Sequence, residues 1–185
     1  MFSNIKKWIP ALILVTIFAA CKQASTPKDT VAVKHDSGHH MQHDTMNIIA
    51  PVLLKDDRLN AVYDQYQQLT SALIHDDLKN AKIAANAIIA GMNNVAGGEG
   101  IRKAAIAITE AKDIESLRVA YGSLNTAFIS KVKQTGLSSG ALYVDFCPMA
   151  LNDKGAYWLS AEKEIRNPYM GAQMLTCGEV KDSVR

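Results

Sequence analysis

Apolar residues recur at alternating spacings of three and four through the middle of this chain, and that pattern limits the fold more than any other feature. Leu59, Val62, Tyr66, Leu69 and Leu73 fall on one helical face. The spacing returns in Leu78, Ala81, Ala85, Ile88 and Met92, then in Ile101, Ala104, Ala105 and Ile108, and again in Ile114, Leu117, Tyr121, Leu124 and Phe128. A strand would put alternate residues on one face, so these runs can bury a common stripe only as helices. The breaks agree with the runs. Asp76 and Asp77 offer an N-cap, with carboxylates placed against the second helix dipole. Gly97, Gly98 and Gly100 mark a loop between Asn93 and Gly100, Asp113 can cap a fourth helix, and Gly136 can stop it. The connections are short, so neighbours should run antiparallel. The expectation is an all-α fold: an up-down bundle of about four helices with a turn-rich C-terminal lobe. The stripe Ala81, Ala84, Ala85 and Ala87 suggests a close helix approach, and His75 reads as a C-terminal dipole partner rather than a ligand.

Upstream of the bundle the residues serve another purpose. Lys6 and Lys7 precede a short apolar stretch from Ile9 to Phe18, which ends in Phe18-Ala19-Ala20-Cys21. That stretch is too short to span a bilayer, and small residues before a cysteine resemble a lipoprotein cleavage site. The expectation is a lipoprotein signal peptide over 1–20 and lipid on Cys21. The mature chain would then be anchored to a membrane, facing the periplasm of the outer membrane. Removing Lys6 and Lys7 takes the formal charge from +2 to near zero. A neutral domain without a basic run excludes nucleic acid as a partner.

Residues 21–50 read as a flexible tether without hydrophobic periodicity. Within it, His35, His39, His40, Met41 and His43 form a dense His/Met tract. Imidazole suits Cu(II), Ni(II) and Zn(II), thioether favours Cu(I), and a His-rich tract is a compositional metal signal. The alternative is a solvated linker whose histidines bind nothing.

Residues 51–181 then form a single domain, and its last third carries the chemistry. Ala141 to Phe146 has strand-like composition and delivers Cys147-Pro148-Met149. Asn152-Asp153-Lys154-Gly155 is a turn signal, and Tyr157-Trp158-Leu159 must pack on something. Ser160 can cap one to two helical turns over 161–165, which Asn167-Pro168 would end. Met174 and Cys177 close the segment.

The residues Cys147-Pro148-Met149-Ala150, Gly155-Ala156-Tyr157-Trp158-Leu159-Ser160, Asn167-Pro168-Tyr169 and Met174 through Cys177-Gly178-Glu179-Val180 resemble a bacterial domain of unknown function, family 3347. The resemblance runs from about residue 55 to about residue 181. That family occurs as free lipoproteins and at the C-terminus of periplasmic adaptor subunits of heavy-metal efflux pumps. The resemblance implies a metal-resistance context, particularly copper or silver, and carries no established activity. The positions matching its sulfur-bearing motif are Cys147, Met149, Met174 and Cys177.

Two readings of that sulfur cluster stay open. Two thiolates with two thioethers make a soft site suited to Cu(I) or Ag(I). Alternatively Cys147 and Cys177 pair as a disulfide, closing a loop worth roughly 3 kcal/mol by the chain-entropy argument. An oxidising compartment favours the disulfide in the resting protein and leaves Met149, Met174 and, as a further candidate, Met170 as thioether ligands. The function expected is binding or delivery of a transition metal, copper or silver, in heavy-metal efflux or resistance. The rival is an interaction module, held by a structural disulfide, that docks to an efflux adaptor and binds no metal. No triad order, phosphate loop or zincin run supports an enzyme.

Overall fold

The computed structural model describes residues 51–185. The signal segment, Cys21 and the tract His35, His39, His40, Met41 and His43 lie outside the described residues.

A two-residue strand β1 (Leu53–Leu54) leads into α1 (Asp57–Ile74), α2 (Leu78–Met92), α3 (Glu99–Glu110) and α4 (Ile114–Thr135). Each helix begins or ends where local chemistry dictates. Asp56 caps α1 by accepting from the amides of Arg58 and Leu59, and Asp77 caps α2 through the Asn80 amide. Asp113 and Ser116 form a reciprocal capping box at α4. Gly136, at φ +76°, ends α4 with its amide on the Val132 carbonyl; that left-handed turn is easy only for glycine.

Leu59, Val62, Tyr66, Leu69 and Leu73 are all buried, as are Ala81, Ala85, Ile88 and Met92, Ile101 to Ile108 at the expected positions, and Leu117, Tyr121, Leu124 and Phe128. Consecutive helices pack against one another. Aromatic contacts join α1 to α4: Tyr66 stacks on Phe128 with ring centroids 4.7 Å apart. Ala81, Ala84 and Ala85 of the alanine stripe are buried, and α1 and α2 approach closely at Gly91. A Cβ added at Gly91 would meet the Val62 side chain at 2.7 Å.

The chain is not all-α. After α4 come β2 (Leu137–Ser139), β3 (Leu142–Cys147), a four-residue helical turn α5 (Ala150–Asp153), β4 (Ala156–Ser160), a 3-10 turn (Gly171–Gln173) and β5 (Glu179–Val184). β1 pairs with β2, and the other strands form an antiparallel sheet in the order β4-β3-β5. The fold is mixed, a helical core carrying two small sheets. The turn-rich lobe expected from sequence is in fact that three-stranded sheet and the loop lying on it. The short runs Tyr143-Val144-Asp145-Phe146 and Tyr157-Trp158-Leu159 become strands because they find each other: Asp145 pairs with Trp158 and Phe146 with Tyr157. β5 gave no sequence signal, since Glu179, Lys181 and Asp182 break any apolar alternation and the strand is exposed.

The short helix expected over 161–165 is also absent. Ser160 Oγ does accept from the Glu162 amide at 3.0 Å, but the cap is followed by bends rather than a turn of helix. So short a helix carries the full nucleation cost and has little propagation to offset it.

Candidate functional site

The two cysteines meet. Cys147 ends β3 opposite Ala156, and Cys177 lies just before β5, whose Glu179 pairs with Phe146. Their Sγ atoms are 2.7 Å apart, as free thiols. Cys147 is fully buried. The neighbouring Cys147 sulfur, with burial, pushes the Cys177 thiol up to about 11, so Cys177 holds its proton at neutral pH.

Asn167 fixes the second cysteine in place. Its side-chain amide donates to the Cys177 carbonyl at 2.7 Å, and its Oδ1 accepts from the amides of Tyr169 and Met170. The Asn167 amide itself bonds to the Leu175 carbonyl at 2.7 Å. One buried asparagine therefore ties both ends of the loop between Asn167 and Cys177, which explains the Asn-Pro-Tyr run in chemical terms.

The methionines divide. Met149 follows Cys147 and starts α5, half exposed; Met174 follows the 3-10 turn, also well exposed. Met149 lines an open hollow of about 440 Å³ with Met170, Gln173, Arg118, Asp153 and Tyr169, and Met174 is not in its wall. Of the three methionines named from sequence, Met149 and Met170 line this hollow. Among the described residues no three His, Cys, Asp or Glu side chains converge where a metal ion could sit. A metal at the cysteine pair would have sulfur as its main donor.

His75 behaves as expected, ending α1 with its Nδ1 2.8 Å from the Ser71 carbonyl.

Three buried polar features were missed in the sequence. Arg118 is buried and reaches Asp76, Glu115 and the Pro168 carbonyl. Tyr66, Tyr121, Tyr169 and Asn125 form a hydrogen-bonded chain beneath the sheet. Tyr66 donates to Asn125 Oδ1 at 2.6 Å and accepts from the Leu159 amide at 2.8 Å, while Asn125 donates to the Tyr169 hydroxyl at 2.9 Å. Burial pushes the Tyr121 hydroxyl up to about 12 and Tyr66 and Tyr169 well above the usual phenol range, so the chain is neutral. Asp145 is fully buried on β3, and neither carboxylate oxygen has a partner among the described residues. Burial raises its carboxyl to about 7. An acid inside Tyr143-Val144-Asp145-Phe146-Cys147 was the available signal.

The fold is thus a helical bundle carrying a small sheet, with a cysteine pair at the sheet and an open hollow lined by Met149 and Met170. Residues 62–140 carry a domain of the family described as protein of unknown function (DUF3347). That match spans most of α1 through β2, so the sulfur-bearing motif lies beyond it. Among curated proteins and among solved structures, nothing matches.

Proposed function

We propose that this protein is an exported lipoprotein that binds or delivers a soft transition metal, copper or silver, in a heavy-metal efflux or resistance setting. The observation that supports it is the Cys147–Cys177 pair, two thiols in contact on a fixed strand pair. Thiolate sulfur selects Cu(I) and Ag(I) over hard cations. The Cys177 thiol is protonated at rest, so a metal bound as thiolate must displace a proton there, and affinity falls as pH falls. The tether residues His35, His39, His40 and His43 would capture copper as neutral imidazoles, weakening below about pH 6.5, with Met41 as a thioether beside them. Lipid on Cys21 would hold the domain at the membrane, within reach of a periplasmic adaptor. Among the described residues no helix is long and apolar enough to cross a membrane.

A second reading rests on the full burial of Cys147. In it the pair is oxidised, the disulfide is structural, and the domain docks to an efflux adaptor without metal.

Titration of the 22–185 fragment with Cu(I), reduced and oxidised, separates the two. Binding of one equivalent that needs reductant and disappears in Cys147→Ser supports the first. No copper or silver bound by either form leaves the docking module.

A further inference from the structure

The segment after Cys147 is strained in a way the fold alone does not require. Leu151, Asn152 and Asp153 have φ of 55°, 57° and 62°, three consecutive non-glycine residues in the left-handed region. Each such residue costs on the order of 1 to 2 kcal/mol. Strain of this kind marks places where a side chain must be held in one position. The turn is held by the Gly155 amide on the Ala150 carbonyl at 3.0 Å and by the Asp153 amide on the Met149 carbonyl. Met149 precedes this turn, half exposed, and Asp153 lines the same hollow.

Met170 lines the same hollow. Met170 is set by its amide on Asn167 Oδ1 at 3.1 Å, and the preceding Pro168 carbonyl accepts from Arg118 Nε at 3.1 Å. A Cβ at Gly171 would sit 2.7 Å from Arg118 Nη2, so this loop lies flat against the guanidinium. Arg118 is already countered by Asp76 and Glu115. Asp153 is in no ion pair among the described residues. The hollow is therefore lined by two methionines, whose thioethers suit a soft cation, and by a carboxylate, a harder donor that can balance its charge.

We propose that Met149 and Met170, with the Asp153 carboxylate beside them, form a second soft-cation site separate from Cys147 and Cys177, taking Ag(I) or Cu(I) by thioether ligation. This rests on the reading above only in taking the cargo to be a soft cation. Thioethers carry no proton, so the site keeps its affinity in acid and after the cysteines are oxidised.

The test is Ag(I) titration of the full chain with its methionine methyl groups labelled with carbon-13, oxidised, at about pH 5 so that the imidazoles are protonated. The methyl signals of Met149 and Met170 move together and saturate, while those of Met92 and Met174 stay. Met149→Leu and Met170→Leu each weaken binding by about tenfold or more, and Met174→Leu does not. The Cys147→Ser/Cys177→Ser variant, if it folds, gives the same methyl shifts without any oxidation step. Silent Met149 and Met170 signals, movement of Met174 in place of Met170, or shifts confined to Met41 and Met46 would each overturn the proposal. Methyl shifts in a protein whose reduced cysteines bind no metal would remove the thiol reading and leave this site standing; thiol binding without methyl shifts does the reverse.

Discussion

Arg118 Nη2 lies 2.6 Å from Asp76 Oδ1, joining α4 to the corner between α1 and α2. The guanidinium is buried while the carboxylate is half exposed. The same side chain donates to the Pro168 carbonyl at 3.1 Å, so one cation ties the helical core to the loop that carries Met170. The pairing needs Gly171, at φ +56°, because any side chain there would meet both partners.

Arg118→Ala should therefore destabilise the domain by about 3 kcal/mol, since it strands Asp76 and a buried carbonyl. Glu115→Ala, whose carboxylate is 78% exposed, should cost less than about 0.5 kcal/mol. Urea denaturation of the two variants measures the contrast; equal losses would contradict it.

Tyr66→Phe removes the hydroxyl that bridges Asn125 and the Leu159 amide. Two buried polar groups lose their partner, with an expected cost of about 2 kcal/mol. The Leu159 amide sits on the edge of β4, so its hydrogen exchange should accelerate more than that of amides within α3. Unchanged protection at Leu159 would show that the hydroxyl does not hold the sheet to α1.

Asp145 sets a pH dependence. Its folded carboxyl is raised to about 7 from an unfolded value near 4. Between those values the folded state holds the extra proton, so stability falls as pH rises through the window and levels off above it. Asp145→Asn should flatten this slope and gain stability at pH 8 relative to the parent, by up to about 4 kcal/mol. Thermal melts across pH 4 to 8 read both effects. A variant whose melts keep the parent slope would place the titration elsewhere.

Oxidation of Cys147 and Cys177 should stabilise the domain by roughly 3 kcal/mol, because the bond closes a loop of about thirty residues in the unfolded chain. The measurement compares denaturation with and without reductant, with the loss of two hydrogens confirmed by mass. Cys177→Ser should abolish the difference; persistence in that variant would assign it to something other than this pair.

The sequence by itself determined the helical core. Periodicity named the buried faces of α1 to α4, and Asp77, Asp113 and Gly136 marked their ends, because helix contacts and caps are local and written at fixed spacings. It also singled out Cys147 and Cys177, whose Sγ atoms lie 2.7 Å apart. What it did not contain was the sheet. Strand pairing depends on residues far apart in sequence, and the exposed, charged β5 acquires its role only from β3 beside it. The same limit applies to Arg118, Asn125 and Asp145, polar residues whose burial follows from which elements close over them. Met170 joined Met149 for that reason too: only the folded loop, held by Asn167 and Arg118, puts both side chains in one hollow.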